Sequence, residues 1–201
     1  MFSIYKKLSF ADVFSILNLT SGIAGILTGI LSFIFISAIF DGLDGMTARR
    51  MGNSEIGEEL DSLSDLISFG VLPAFFLVKK FKFSPVLVII AAIYVTCSAL
   101  RLARFNVVKS KYFIGLPTTA SALILTCILK INVGKDILIA ISLLLSLAMI
   151  CDLKFPKIRD SRLLFLGGFA VLGSIFSLYG VYLLLVLCIV YVLQPLLGWF
   201  K

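Results

Sequence analysis

Residues 41–65 read Asp41-Gly42-Leu43-Asp44-Gly45-Met46-Thr47-Ala48-Arg49-Arg50-Met51-Gly52-Asn53-Ser54-Glu55-Ile56-Gly57-Glu58-Glu59-Leu60-Asp61-Ser62-Leu63-Ser64-Asp65. Four aspartates stand here in two pairs, Asp41/Asp44 and Asp61/Asp65, spaced i,i+3 and i,i+4. Either spacing puts both carboxylates on one face of a helix. The polar run Gly52-Asn53-Ser54 between the pairs predicts a turn, with glycine past one helix end and Asn53 or Ser54 capping the next. Two helices joined there bring four carboxylates toward one another. Such a group repels itself unless cations lie between the acids, and acidic oxygens suit hard ions such as Mg²⁺ or Mn²⁺.

The flanks sharpen this reading. No charged residue occurs from Val13 to Phe40, and none from Leu66 to Val78. The chain of 201 residues is 60% hydrophobic, with a mean hydropathy of +1.12. These values exclude an ordinary soluble domain and predict an all-α, polytopic membrane helix bundle. A carboxylate at membrane depth costs roughly 2.5–3.5 kcal/mol on insertion scales. Four of them require compensation, which metal binding in a water-filled cavity provides. The competing explanation is a set of solvated charges at helix ends.

Apolar runs place about eight spans: near 12–28 and 31–51, a third running to about Leu77, a fourth near 84–107, a fifth entered through Gly115-Leu-Pro117, and the last three near 135–151, 162–179 and 181–199. Residues 1–10, with Lys6 and Lys7 among aromatic and aliphatic side chains, predict a short interfacial helix. Asp12 is the expected cap of the first span. Asn18, Thr20 and Ser21 lie inside that span and need partners there. No internal repeat or linker divides the chain, so residues 1–201 are expected to form one domain. The N-terminus shows no cleavage-site pattern of a signal peptide.

Net charge is +7, from 18 basic and 11 acidic residues. The basic residues gather at predicted helix ends, so anionic head groups explain them and nucleic acid does not. With the N-terminus cytoplasmic and eight spans, 11 basic residues fall on the inner side and 5 on the outer, Arg101 and Arg104 being left out because they lie within a span. The acidic stretch then faces the cytoplasm. A six-span count keeps both termini inside as well. There is no histidine, so a general base must be a carboxylate, lysine, tyrosine or water. Cys97, Cys127, Cys151 and Cys188 are scattered without ligand spacing and are expected to pack as small hydrophobes. Arg101 and Arg104 share a helix face and form either a phosphate or carboxylate site or a pair of interfacial anchors.

The motif resembles the signature of the CDP-alcohol phosphatidyltransferases, D-x2-D-G-x2-A-R followed by G-x3-D-x3-D. Asp41, Asp44, Gly45, Ala48, Arg49, Gly57, Asp61 and Asp65 match it in order, with one residue fewer than usual between Arg49 and Gly57. The resemblance implies transfer of a phosphatidyl group from a CDP-linked lipid to an alcohol with release of CMP. It implies two divalent ions, Mg²⁺ or Mn²⁺, on Asp41, Asp44, Asp61 and Asp65. Asp65 is the implied general base. Asn18, Gly45, Ala48, Arg49 and Gly57 are the implied contacts of the CDP-lipid.

Leu60 to Ala74, Arg101 to Asn106 and Gly115-Leu-Pro117-Thr-Thr119 resemble the serine-using branch. Serine's carboxylate is then expected at Arg101 or Arg104. Inositol phosphate and glycerol 3-phosphate remain alternative acceptors, since a phosphate also wants arginines. A cation transporter is the alternative from another class, though its ion path calls for polar residues through the whole membrane depth. The family also implies a homodimer.

Overall fold

Apolar runs interrupted by glycine, proline and charge fold into helices over most of the chain. The computed structural model describes residues 8–52, 54–108, 112–156 and 161–195. Eight helices occur among them: α1 (Phe10–Thr28), α2 (Phe33–Met51), α3 (Gly57–Lys80), α4 (Pro85–Val107), α5 (Thr118–Ile131), α6 (Lys135–Ile150), α7 (Ser161–Phe176) and α8 (Leu178–Leu193). Two short strands, β1 (Phe113–Ile114) and β2 (Lys154–Phe155), pair antiparallel, with Phe113 opposite Phe155. The all-α bundle expected from composition is the observed architecture. The expected interfacial helix at 1–10 lies almost wholly outside the described residues.

Length separates the helices. α1, α3 and α4, with 19, 24 and 23 residues, are long and apolar enough to cross a membrane. α5 to α8 have only 14 to 16 residues. At 1.5 Å per residue these reach about 21–24 Å, short of a hydrocarbon core of about 30 Å. α2 has 19 residues, but its second half carries the acidic and basic motif.

Local signals place the helix ends, with two differences from expectation. Ser9, not Asp12, caps α1. Its hydroxyl accepts the Asp12 N–H, and the Asp12 carboxylate accepts the Ser9 N–H at 2.6 Å, forming a capping box. Gly52 ends α2 with φ 86°, as glycine permits. α3 then starts after Ile56, not after Ser54, and no side chain caps it; Asn53 lies outside the described residues.

α3 holds a feature that periodicity does not reveal. Residues Leu66–Val71, directly after Asp65, form a π-helical turn. Pro73 explains it. Proline has no N–H, so the carbonyl four residues earlier, Phe69 O, loses its helical donor. The Tyr94 hydroxyl from α4 donates to that carbonyl at 3.4 Å, and Ser121 on α5 donates to the Tyr94 oxygen at 3.1 Å. Tyr94 is fully buried, so the irregular turn is satisfied from inside the bundle, as an apolar environment demands.

α1 lies against both α2 and the π turn. Gly22 makes this approach possible: a Cβ there would stand 2.4 Å from Ser68 Oγ and 3.0 Å from Ser68 Cα. Gly22→Ala is expected to destabilise the protein by about 1–3 kcal/mol, as overpacking does. An unchanged thermal midpoint in detergent would show that α1 can move aside freely. Elsewhere α4 packs on α6, α5 on α8, and α7 crosses α8 where Gly180 meets Gly173. Phe35, Phe69, Leu72, Leu77, Leu87, Leu125 and Met149 fill the centre.

Candidate active site

The acidic motif is built where α2 and α3 run beside α1. A helical stripe on α1, Ser15-Asn18-Gly22-Gly25, is buried against them. Its small members allow close contact and its polar members meet the acids. Carboxylate oxygens of Asp41, Asp61 and Asp65 all lie within 4.8 Å of one another. Asp44 stands at the edge of this group, beside Asp61. Its Oδ2 accepts the Ser15 hydroxyl at 2.5 Å. The two pairs therefore converge as their spacing predicts, three acids forming the centre and the fourth reaching it through Asp61.

Three ionised carboxylates at this separation repel by roughly 3 kcal/mol per pair at an effective dielectric near 20. Among the described residues one fixed cation faces them, Arg101 on α4, which is only 6% exposed and has Asp41, Asp61 and Asp65 as charged neighbours. A single guanidinium does not balance four carboxylates. The donor set is entirely oxygen, which fits hard divalent ions.

Asn18 supplies the second sign of fit. It is 0% exposed. Its amide donates to Asp65 Oδ1 at 3.0 Å, while its own Oδ1 has no hydrogen-bond partner among the described residues. Its backbone carbonyl accepts from Ser37 at 3.3 Å and from Ser68 at 2.9 Å. α2 and α3 thus both grip α1 at this residue, leaving a buried acceptor beside the acids.

The remaining motif residues flank this centre on α2 and at the start of α3. A Cβ on Gly45 would meet only the Arg49 guanidinium at 3.5 Å, and one on Gly42 nothing within 4 Å. The backbone here is open to a flat ligand. Arg49 is exposed, Ala48 partly so, and Gly57 is buried in the first turn of α3. Beyond Gly45, Met46 joins Leu164, Phe165, Gly168, Phe169 and Leu172 of α7 around an apolar hollow of about 300 Å³.

The two arginines part company. Arg101 turns inward, its guanidinium carbon 5.3 Å from the ring centres of both Phe105 and Phe113. Its Nε is buried and has no hydrogen-bond partner among the described residues. Arg104 turns toward the end of α6 instead, where it donates to backbone carbonyls and to Asp152. Ser62 on α3 donates to Asn106 Oδ1 at 3.2 Å and ties α3 to this end of α4.

Sequence reasoning passed over several of these partners. Thr119 at the start of α5 donates to Asp41 Oδ2 at 3.1 Å. Ser15, Ser37 and Ser68 are the others. Ser15 and Asn18 were findable as i,i+3 neighbours on one buried stripe. Nothing local marks Ser37 or Thr119, whose partners lie 19 and 78 positions away.

The family profile of the CDP-alcohol phosphatidyltransferases matches residues 7–152. The chain is 39% identical over 203 residues to a Methanocaldococcus jannaschii protein named CDP-diacylglycerol–serine O-phosphatidyltransferase, covering 100% of this chain and 99% of that one. It is 33% identical over 161 residues to an archaetidylserine synthase of Methanothermobacter thermautotrophicus, covering 73% of this chain and 69% of the relative. A Bacillus subtilis protein with the same name as the first is 35% identical over 132 residues, covering 63% and 74%.

Proposed function

The chain belongs to the CDP-alcohol phosphatidyltransferase family, and from that premise we propose that it transfers a phosphatidyl-type group from a CDP-linked lipid to the hydroxyl of L-serine, releasing CMP. The observation that carries this reading is the convergence of Asp41, Asp61 and Asp65 in front of the buried Arg101. Relatives named for serine transfer support the acceptor.

Asp41, Asp44, Asp61 and Asp65 would hold two divalent ions, Mg²⁺ or Mn²⁺. When bound, these neutralise the pyrophosphate and the charge that develops on displacement. The chain's own groups do the rest. Asp65 accepts the proton of the serine hydroxyl. The serine oxygen forms a bond to the lipid-side phosphorus, the bond from that phosphorus to the bridging oxygen breaks, and CMP leaves with the electron pair. Asn18 orients the Asp65 carboxylate through its amide. Arg101 takes the serine carboxylate, which its guanidinium matches bidentately. The open backbone at Gly45, with Ala48, Arg49 and Gly57, receives the nucleotide and phosphates. The hollow between Met46 and α7 suits a hydrocarbon chain of the lipid.

The whole of 1–201 acts as one catalytic unit within the membrane, and the homodimer implied by the family belongs to the same proposal. The site is proposed to face the cytoplasm, a reading supported by the 11-to-5 excess of basic residues on that side when eight spans are counted. Purified protein in detergent micelles with CDP-diacylglycerol and Mn²⁺ should release CMP when serine is added. Inositol phosphate and glycerol 3-phosphate, tested in turn, should not stimulate release. Stimulation by either of these and not by serine would reverse the acceptor assignment.

A further inference from the structure

We propose that Arg104 is a positioning residue: it locks residues 113–116 onto the end of α6 and thereby holds Phe113 against the Arg101 guanidinium. This rests on the reading that Arg101 receives the acceptor carboxylate. Spacing alone groups the two arginines as twin anion ligands; the structure separates their work.

The terminal N–H groups of Arg104 are already engaged. One terminal nitrogen donates to Ile150 O at 3.2 Å and Asp152 Oδ1 at 3.1 Å. The other donates to Ile114 O at 2.9 Å, Cys151 O at 3.0 Å and Met149 O at 3.2 Å. The carbonyls of 149 to 151 close α6 and belong to the turn whose acceptors have no intrahelical donor and where the helix dipole is negative. Ile114 O comes from β1, on a different part of the chain. One guanidinium therefore joins β1 to the end of α6. A substrate carboxylate cannot use the same N–H groups without breaking that joint.

The joint is tight. Gly115 N–H donates to Leu153 O and Leu116 N–H to Ala148 O, both at 2.8 Å. Gly115 has φ 79°, and a Cβ on it would stand 2.1 Å from Met149 O and 2.6 Å from a terminal nitrogen of Arg104. Only glycine fits there. Phe113, two residues before, is paired with Phe155, whose ring lies 5.7 Å from that of Tyr191. With its backbone held from both sides, Phe113 presents its ring to Arg101 at 5.3 Å and to Phe105 at 5.6 Å. An arginine laid beside two adjoining rings, both 5.3 Å from its guanidinium carbon, keeps its orientation while its N–H groups stay available. The same joint leads directly into α5, where Thr119 meets Asp41.

The test uses the full-length enzyme in detergent micelles, with CMP release measured while serine and CDP-diacylglycerol are titrated separately. Arg104→Ala and Phe113→Ala should each raise the serine KM by about 10-fold, leaving the CDP-lipid KM within about 2-fold. The double variant should be no worse than the weaker single one, because both act through Arg101. Arg104→Lys should not restore the serine KM, since an ammonium cannot span acceptors on two segments. An unchanged serine KM in Arg104→Ala, or additive losses in the double variant, overturns the proposal. So does failure of both Arg104→Ala and Arg104→Gln to give protein that is thermally stabilised by CDP-diacylglycerol, because Arg104 would then hold the bundle as a whole. Arg101→Ala separates the two levels of inference. If it leaves the serine KM unchanged, the acceptor reading itself fails; if it raises KM while Arg104→Ala does not, only the positioning role fails.

Discussion

Asp61→Asn is expected to lower CMP release by at least about 10³-fold at saturating serine, comparable to removing a preorganised charge from a low-dielectric site. Asp61 is the acid that links the whole group. It lies within the 4.8 Å cluster with Asp41 and Asp65 and is also the neighbour of Asp44. Its substitution removes one of four negative charges and one of the oxygens available to a hard cation. The Ser15 hydroxyl holds the Asp44 carboxylate against α1, so Asp44 cannot simply take its place. The loss should appear in substrate binding as well as rate: the Mn²⁺ concentration needed for half-maximal activity should rise, and stabilisation by CDP-lipid should weaken. A variant with the metal dependence of the parent would remove Asp61 from the proposed ligand set.

Asp65→Asn should behave differently, and the contrast is the sharper test. Transfer should fall by about 10²–10⁴-fold, the usual worth of a positioned general base. CDP-lipid binding should survive, because Asp41, Asp44 and Asp61 remain. The substitution is close to isosteric, and its amide oxygen can still accept from Asn18, whose donor now lies 3.0 Å from Asp65 Oδ1. The local fold should therefore be undisturbed. Thermal stabilisation by CDP-diacylglycerol checks binding, and single-turnover CMP release checks chemistry. Near-normal turnover would refute the base role and leave Asp65 as a ligand alone.

These predictions rest on residues that the sequence already marked. The aspartate pairs could be read because their meaning is local: i,i+3 and i,i+4 spacing fixes a shared helix face, and charge inside an apolar run has a known cost. The helices at 10–28, 33–51, 57–80 and 85–107 were visible for the same reason. Helix ends were less legible. Ser9 and Asp12 both look like caps, and only the backbone shows that the first accepts and the second returns the bond. The π turn was missed although Pro73 was in view. Its relief by Tyr94 comes from 25 positions away in sequence.

The arginines show the boundary most clearly. Arg101 and Arg104 have the same charge, the same spacing from their neighbours and the same helix. One faces the acids with two adjoining rings beside it; the other closes the end of α6. Side-chain periodicity cannot distinguish them, because their partners lie on segments up to 48 positions distant.

The sequence by itself determined that this is an apolar helical bundle with four acids in two facing pairs, since hydropathy, spacing and charge cost act over a few residues. Tertiary structure alone decided that Asn18 holds Asp65, that Thr119 meets Asp41, and that Arg101 and not Arg104 faces the cluster. Those choices depend on which helix faces pack together, and packing is a property of distant segments brought into contact, not of any one of them.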